Sequence, residues 1–461
     1  MDAALADAEP AVFWLDRPDA PEPAPPLTGA TATDLLIVGG GYTGLWAALQ
    51  AKERDPAREV TLVEGRTVAF GGSGRNGGFC EASVTHGLHN GVTRFGDDID
   101  ALLALGRENL AGLRADLDRH AIECDLEATG MTTVATRPHE VPQLRESLEL
   151  EARHGEPVRW LDAEQMRAQV DSPTFLAGVH NPEGCVLLQP ARLAWGLRRA
   201  ALDAGVQLHE HTPVTGLHRH GAGVRAVTPQ GTIEARRVLL ATNAFPPLLR
   251  AIRRYVVPVY DYVLVTEPLS AEQRASVGWD GRQGLSDAGN QFHYFRLTPD
   301  DRILWGGYDA IYHYGNAVAD ALNQRPETFA LLARQFFACF PQLRGLRFTH
   351  RWGGAIDTCS RFSVMFGTAM RGQVAYAVGY TGLGVGASRF GARVALDLLD
   401  DPASDLLRLP MVRRRPLPFP PEPLRFAAIE LTRRSLARED DTGRRNAWLR
   451  TLDRLGLGFD S

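Results

Sequence analysis

Three glycines and one glutamate near the N-terminus have the types and spacing of a phosphate-binding turn. The chain contains GGGYTG at residues 39–44, and Glu64 follows twenty residues after this run. Gly39 would form the turn, Gly41 would let the backbone approach a pyrophosphate, and Gly44 would let a helix lie close to a sheet. Glu64 would accept a hydrogen bond from a ribose hydroxyl. Together these residues predict a dinucleotide site.

The apolar pattern on both sides of the turn predicts the elements that position it. Residues 35–38 (LLIV) form a buried strand, Leu45 and Leu49 follow the spacing of one helix face, and residues 60–63 form a second strand. The start of such a helix carries unpaired N–H groups and the positive end of a dipole, which attract phosphate. A glycine-rich turn that holds no nucleotide is the alternative interpretation.

Two more glycine-rich segments indicate further contacts with a bound group. Residues 70–79 (FGGSGRNGGF) form a loop too permissive in conformation to serve packing alone. Residues 376–384 (YAVGYTGLG) repeat the order of strand, glycine turn and helix, and residues 238–244 (VLLATNA) predict a buried strand that reaches a polar turn. Elements of nucleotide-binding type therefore occur near the start, the middle and the end of the chain.

The segments between these elements have a different character. Residues 256–266, 292–297 and 303–307 are rich in aromatic and β-branched residues, which predicts an antiparallel sheet. The pattern therefore favours two intertwined domains, each assembled from separate parts of the chain.

Composition excludes several classes of function. The 461 residues carry a net charge of -5, which gives no reason to expect nucleic acid as a partner. No apolar run reaches the roughly 18 residues of a membrane span, and the acidic N-terminus lacks the basic region of a signal peptide. The five cysteines are scattered, which is typical of reduced thiols. We expect a cytoplasmic protein.

Lys52 is the single lysine of the chain, and it lies on the first predicted helix, away from the glycine turn. A Schiff-base lysine, a pyridoxal cofactor and a Walker-type phosphate lysine are therefore all disfavoured.

In their order along the chain, these motifs resemble the D-amino-acid oxidase superfamily of flavin-dependent amine oxidoreductases, and within it the branch that contains gamma-glutamylputrescine oxidase. The resemblance extends from about Phe13 to Leu399. It rests on the glycine turn with Glu64 and on residues 73–78, 184–197, 241–244, 294–297, 352–354 and 379–384.

The resemblance implies an FAD, bound noncovalently. The residues implied to contact it are Gly39, Gly41, Tyr42, Thr43, Gly44, Glu64, Gly65, Arg66, Ser73, Gly74, Arg75, Asn76, Gly77, Gly78, Val214, Thr242, Asn243, Gly379, Thr381, Gly382, Leu383 and Gly384. It also implies oxidation of a C–N bond, in which a neutral amine gives a hydride to flavin N5 and the resulting imine hydrolyses to a carbonyl compound and an amine.

The implied fold class is α/β, with a discontinuous Rossmann-like FAD-binding domain and an α+β substrate domain, as in glutathione-reductase-like flavoproteins. The expected units are an extended arm (1–30), the FAD-binding domain (31–95, 180–250 and 350–404), the substrate domain with a mainly antiparallel sheet (96–179 and 251–349), and a proline-rich segment with a helix (405–461).

Two departures from the family pattern bear on the chemistry. Sarcosine-oxidase-like members use one lysine to activate oxygen and another to hold the substrate carboxylate, and the second position aligns here with Gly386. Arginine does not simply replace lysine in such roles, so a small N-methyl amino acid held in that manner is disfavoured, and the electron acceptor, oxygen or another, stays open. The cysteine that attaches flavin covalently in some members aligns near Gly353, which favours noncovalent FAD.

Four residues are candidates for catalysis: Arg75, Tyr262, Tyr294 and Arg296. On a strand, Tyr294 and Arg296 share one face, so Arg296 would bind an anionic end of the substrate or place positive charge near the flavin. A structural ion pair is the alternative for Arg296. Tyr260 and Tyr262 also share a face and would form either an aromatic wall of the site or ordinary core.

For two further groups of residues, the sequence allows either a purely structural role or a chemical one. His209, His211, His218 and His220 lack the partners and spacing of a metal site, so no metal is expected. Cys80 and Cys185 are either packed thiols or redox-active groups, and packing is favoured.

The sequence therefore predicts an FAD-dependent amine oxidase or dehydrogenase that acts on a primary or secondary amine, either a polyamine derivative or an amino acid. A flavin monooxygenase or NAD(P)H-dependent reductase is one alternative, although no second glycine motif of equal quality is present. A flavin-binding protein without turnover is the other.

Overall fold

The computed structural model describes residues 2–457. The helices are α1 (Asp2–Leu5), α2 (Tyr42–Arg54), α3 (Gly72–Arg75), α4 (Gly87–Phe95), α5 (Ile99–Arg119), α6 (Glu140–Arg153), α7 (Ala163–Gln169), α8 (Pro190–Asp203), α9 (Ala271–Val277), α10 (Pro326–Cys339), α11 (Gly384–Asp400), α12 (Pro410–Arg413), α13 (Leu424–Thr442) and α14 (Ala447–Arg454).

The strands are β1 (Gly29–Val38), β2 (Val60–Val63), β3 (Phe79–Glu81), β4 (Met131–Ala135), β5 (Arg159–Asp162), β6 (Ala177–Asn181), β7 (Cys185–Leu187), β8 (Gln207–His209), β9 (Gly216–His220), β10 (Gly223–Val227), β11 (Gly231–Leu240), β12 (Val256–Thr266), β13 (Gly284–Asp287), β14 (His293–Leu297), β15 (Ile303–Tyr312), β16 (Phe348–Cys359), β17 (Met365–Ala369) and β18 (Val374–Val378).

The first sheet has the order β17-β18-β11-β1-β2-β8, with β9 and β10 attached to β11. Strands β18, β11, β1, β2 and β8 are parallel, and β17 is antiparallel to β18. Along β1, Leu35 and Ile37 belong to the core on the side of α2, α8 and α11, whereas Leu36 and Val38 belong to a core on the opposite face. The continuous apolar run of β1 is therefore explained by burial on both faces.

The second sheet has the order β16-β12-β15-β14-β13-β4-β6-β5 and is antiparallel except between β13 and β4. Its core contains Tyr260 and Tyr262 from β12 and Phe329 and Phe336 from α10. A third, two-stranded sheet joins β3 to β7. This arrangement confirms the predicted α/β fold class and the predicted antiparallel sheet.

The expected domain boundaries stay predictions at the level of residues. Strand β16 begins close to the segment 350–404 that was assigned to the cofactor domain, yet it pairs along its length with β12 of the second sheet. Chain connectivity alone does not reveal this, because β16 leads directly into β17 of the first sheet.

The predicted N-terminal arm is anchored to the rest of the molecule. Glu9 forms a bridge with His350, and the side chain of Trp14 is buried. The Trp14 indole N–H donates to the carbonyl oxygen of Asn76 at 2.9 Å. The arm therefore reaches the glycine-rich loop at residues 70–79. No helix within residues 2–457 combines the length and the apolar character needed to cross a bilayer.

We predict that Gly44→Ala lowers the free energy of unfolding by about 3 kcal/mol, because the added methyl group overlaps the carbonyl oxygen of Gly39 and the chain must shift. Gly96→Ala is the matched control, since nothing lies within 4 Å of its added carbon. Chemical denaturation of both variants measures the difference, and equal stability of the two would contradict the close helix–sheet contact.

Candidate active site

One cavity of about 790 Å³ contains residues from both large sheets. The first-sheet side contributes the start of α2, residues 64–66, the glycine-rich loop and the turn before α11. The second sheet contributes Asp261, Val263, Ser286 and Tyr294. The sequence motifs for a nucleotide therefore face the same space as the aromatic sheet.

The first glycine turn has the geometry that its sequence predicts. Gly39 has a φ of +116°, and an added Cβ there would overlap the carbonyl oxygen of Ala241. An added Cβ at Gly41 would lie 2.9 Å from Ser73 Oγ, so the backbone of α2 closely approaches the loop. Gly41 caps α2 with no side-chain acceptor of its own, and the N–H of Tyr42 donates to Ser73 Oγ at 2.9 Å. An anion at this helix start would therefore meet the positive end of the dipole and the N–H groups that follow Tyr42.

Glu64 lies directly after β2, beside this turn. Its carboxylate accepts hydrogen bonds from the N–H of Gly40 at 2.6 Å and from the N–H of Arg66 at 2.8 Å. Burial raises the pKa of Glu64, and the two backbone donors oppose that shift. The Arg66 guanidinium forms an exposed ion pair with Asp320 at 3.0 Å.

Asn243 follows β11 and has a φ of +49°. Its Oδ1 lies buried in the cavity wall, and within the described chain it has no hydrogen-bond partner. A buried acceptor without a donor is costly, so this oxygen fits a bound group that brings its own donors.

Two tryptophans hold the glycine-rich loop from outside the cavity. The indole of Trp14 donates to Asn76 O, and the indole of Trp352 donates to Arg75 O at 2.9 Å. Within the loop, the Asn76 side chain donates to Gly72 O and Ser73 O and accepts from the N–H of Gly78. The loop is therefore a fixed surface despite its glycines.

The second glycine turn is held by Asp357 of β16. Its carboxylate accepts from the N–H of Gly379 at 2.6 Å and from the N–H of Tyr380 at 3.2 Å. Burial raises the pKa of Asp357 to about 7 against these donors. The cap residue of α11, Leu383, offers no side-chain acceptor to that helix start, which faces the cavity.

These features match the chemical groups of an FAD. Two helix starts whose cap residues offer no side-chain acceptor suit a pyrophosphate and a polar edge of the flavin ring. Glu64 suits a ribose hydroxyl, and Asn243 Oδ1 suits a donor of the cofactor. The residues present therefore fit this cofactor.

Most of the residues implied to contact FAD line the cavity. Those that do so are Gly39, Gly41, Tyr42, Thr43, Glu64, Gly65, Arg66, Ser73, Arg75, Asn76, Gly77, Val214, Thr242, Asn243, Thr381, Gly382, Leu383 and Gly384. The others, Gly44, Gly74, Gly78 and Gly379, lie outside this lining. Gly44 and Gly74 permit close backbone packing, since an added Cβ would overlap the carbonyl oxygens of Gly39 and Ala69.

Arg75 lines the cavity, and two nitrogens of its guanidinium donate hydrogen bonds to backbone carbonyl oxygens. Its Nε donates to Phe70 O at 2.8 Å, and one terminal nitrogen donates to Gly353 O at 3.0 Å. The guanidinium also lies 5.0 Å from the centre of the Phe70 ring. These contacts join the glycine-rich loop to β16.

Arg296 lies on the same face of β14 as Tyr294, as strand alternation predicts, but it does not reach the cavity. Its guanidinium is buried beneath the loop, where it donates to Leu188 O at 2.8 Å and is close to Gly78 O at 3.4 Å. Burial lowers the pKa of Arg296 to about 10. Because β7 and the end of the loop fill the space beside it, this arginine does not line the cavity and pairs with backbone carbonyls.

Tyr262, a candidate for catalysis, does not line the cavity, and its surroundings match the second interpretation of the tyrosine face, ordinary core. Its hydroxyl donates to Leu322 O at 2.9 Å, and its ring packs against Phe329 of α10. Tyr260 stacks on Tyr262 in the same core. The tyrosine face of β12 is therefore the core face.

The opposite face of β12 presents Asp261, which sequence reasoning missed. The Tyr294 hydroxyl donates to Asp261 Oδ2, and the N–H of Tyr262 donates to Oδ1 at 2.7 Å. Burial raises the pKa of Asp261 to about 7. A single acid inside the apolar run VVPVYDYVLVT was the available signal, since such a strand rarely buries an unpaired carboxylate.

The remaining candidates have structural surroundings. Cys80, Cys185 and Cys359 are buried, and burial raises the thiol pKa values of Cys80 and Cys185. His209 contacts Pro25 O, and His220 lies beside Glu234. Across residues 2–457, no group of three or more His, Cys, Asp or Glu side chains is arranged to hold a metal ion.

Comparison with known proteins defines the class to which this fold and site belong. A model of the DAO family, described as FAD dependent oxidoreductase, matches residues 34–398. The chain belongs to this family of FAD-dependent oxidoreductases.

Relatives in the family include the gamma-glutamylputrescine oxidoreductase of Escherichia coli K12, which is 29% identical over 81% of this chain and 85% of its own length. The probable oxidoreductase OrdL of Haemophilus influenzae is 27% identical over 81% of this chain and 84% of its own. Glycine oxidase from Geobacillus kaustophilus has a similar fold, with a TM-score of 0.69 at 20% identity over 83% of this chain and 99% of its own.

We predict that Asp357→Asn weakens flavin retention about tenfold, because an amide keeps an acceptor for only one of the two N–H groups of the turn. The dissociation constant of FAD, measured by fluorescence on reconstitution, tests this. Asp405→Asn is the control, since its carboxylate is exposed. Equal FAD affinity in both variants would show that Asp357 does not hold the turn for the cofactor.

Proposed function

We propose that this protein oxidises a C–N bond of a primary or secondary amine, either a polyamine derivative or an amino acid, with noncovalent FAD as the cofactor. When bound, the flavin would provide N5 as the acceptor for a hydride from the carbon next to the amine nitrogen. The imine product then hydrolyses to a carbonyl compound and an amine.

One observation carries the proposal above all. The cavity that contains the nucleotide-type turns continues, without a separate chamber, to the wall formed by Asp261, Val263, Phe292 and Tyr294. A small molecule bound against this wall would share one enclosed space with the cofactor. Such a position is what direct transfer between substrate and cofactor requires.

Several residues of the chain would hold different parts of the cofactor. The start of α2 would hold the pyrophosphate, and Glu64 would hold the ribose. The start of α11 would place N–H donors where negative charge develops on the reduced ring. Cys359 supports noncovalent binding, because its thiol is buried against Ser363 O at 3.1 Å and does not line the cavity.

The relatives bear on the substrate class. The names of the similar proteins refer to gamma-glutamylputrescine and to glycine, which are both amines. The cavity also has an apolar wall that carries one carboxylate. Such a wall disfavours an anion and favours an amine.

We predict that the purified yellow protein loses its visible flavin absorbance when an amine substrate is added without air. An anaerobic panel of polyamines, mono-N-acyl polyamines, glycine, proline and sarcosine, followed in a stopped-flow spectrometer, identifies the class. Peroxide formed on re-aeration distinguishes an oxidase from a dehydrogenase.

The same spectra separate the alternative functions. Bleaching by NADPH, with no response to any amine, would instead support a reductase or monooxygenase. A flavin that none of these compounds reduces would support a binding protein without turnover.

A further inference from the structure

Asp261 occupies an irregular position in the second sheet. Strand β12 pairs with β15 through Tyr260 and Ile311 and then through Tyr262 and Gly307, so the register shifts at Asp261. The side chain lies in the cavity wall, while its two tyrosine neighbours lie in the core. The sheet therefore deviates from regular pairing where it presents this carboxylate.

The carboxylate is held in one orientation by donors on both of its oxygens. Tyr294 donates to Oδ2 from β14, and the N–H of Tyr262 donates to Oδ1. A carboxylate oxygen has a second acceptor site, and so does the phenol oxygen. The Asp261–Tyr294 pair therefore presents several acceptors and no remaining donor to the cavity.

No cation of the described chain neutralises this carboxylate. Two buried acids elsewhere have ionic partners, since Asp116 pairs with Arg389 at 2.8 Å and Asp397 pairs with Arg54 at 2.8 Å, whereas Asp357 has backbone N–H donors in place of a cation. No ion pair within residues 2–457 includes Asp261. Asp261 is half-buried in the cavity wall. A partly desolvated carboxylate without a cation attracts one, and the side of Asp261 that is open to the cavity can receive it from outside the protein.

The groups around Asp261 define its electrostatic surroundings. His293 of β14 favours its charged form, and Asp309 of β15 opposes it. His293 is itself paired with Asp287, and Asp309 is paired with Arg325 and Arg433. On β16, the residue opposite Asp261 is Gly354, which contacts the Arg75 stem.

We propose that the Asp261–Tyr294 pair is the subsite for the substrate's ammonium group, and that Asp261 accepts one proton from it to leave the neutral amine. This inference rests on the proposed function. In the proton transfer, one N–H bond of the ammonium breaks and one O–H bond forms on the carboxylate, with no change in oxidation state. The hydroxyl of Tyr294 stays protonated and accepts a second N–H.

Glu81 is the competing acid, because the other acids of the cavity lining are engaged: Glu64 and Asp357 accept backbone N–H groups of the two turns, and Asp320 pairs with Arg66. Burial raises the pKa of Glu81 to about 7 as well. Asp261 is the better ammonium site because its oxygens are fixed by two donors and a phenol oxygen lies beside them. A pre-oriented carboxylate loses less conformational entropy on binding than a longer and less constrained one.

We predict that the holoprotein binds tert-butylammonium more than about tenfold tighter than pivalate at about pH 8, because the two probes share a shape and differ in charge. Neither probe is an oxidisable amine, since tert-butylammonium has no hydrogen on the carbon that bears nitrogen. Asp261→Asn weakens binding of tert-butylammonium about 30-fold and Tyr294→Phe about fivefold. Glu81→Gln retains it. Isothermal titration calorimetry measures all four proteins.

The wild-type protein alone provides a second test. Near pH 6 the Asp261 carboxyl is largely protonated, since its pKa is about 7, so cation binding must release a proton. The binding enthalpy then depends on the ionisation enthalpy of the buffer near pH 6 and loses that dependence near pH 8. This test stands even where Asp261→Asn does not fold.

With a substrate identified by flavin reduction, kcat/KM of Asp261→Asn rises with pH towards the pKa of the free amine, because solvent must then remove the proton. The wild-type value levels off above the pKa of Asp261. A parallel profile for both proteins, loss of probe binding in Glu81→Gln in place of Asp261→Asn, or preference for pivalate would overturn the inference.

The experiments distinguish failure of the proposed amine oxidation from failure of the proposed ammonium subsite. Dependence of tert-butylammonium binding on Asp261, in a protein that no amine reduces, would overturn the proposed reaction and leave the cation site. If amines reduce the flavin but Asp261→Asn binds tert-butylammonium as tightly as the wild type, the cation site is overturned and the proposed reaction is kept.

Discussion

The hydroxyl of Thr43 donates to the phenol oxygen of Tyr380 at 2.8 Å, and this bond joins two glycine turns that lie 337 residues apart in the chain. Each turn starts a helix, and both starts face one cavity. Asp357 fixes the second turn from the other sheet. The relative position of the two helix starts therefore depends on contacts between distant chain segments as well as on each local motif.

The loop between the sheets shows how a glycine-rich segment becomes rigid. Its glycines allow close approach, for an added Cβ at Gly78 would overlap Leu188 O and lie 2.7 Å from the Arg296 guanidinium. Its order comes from elsewhere, since the indoles of Trp14 and Trp352 bind its carbonyl oxygens. The N-terminal arm is thus part of the cofactor-site framework, although it lies before the region that the family model matches.

The fold surrounds Arg296 and Asp261, two charged groups near this loop, in opposite ways: Arg296 is buried, whereas Asp261 is half-buried in the cavity wall. Arg296 donates to the carbonyl oxygens of Leu188 and Leu297, and peptide dipoles compensate its charge. Asp261 faces the cavity with hydrogen bonds but no cation. The charge of Arg296 is compensated within the protein. If Asp261 binds the ammonium group as proposed, this difference distinguishes a structural charge from a functional one, and residue type alone does not reveal it.

Local pattern was sufficient for much of the fold and for the glycine turns that line the cavity. The run LLIV, the spacing of Gly39, Gly41 and Gly44, and the acid at Glu64 determine a strand, turn, helix and strand because each depends on neighbours in the sequence. Strand alternation correctly placed Tyr260 and Tyr262 on one face, but only tertiary packing decided that this face is core and that Asp261 faces the cavity. Likewise, the position of Arg296 depends on β7, more than a hundred residues away in the chain. A period of two fixes which residues share a face, whereas the element that covers each face is decided by long-range contacts.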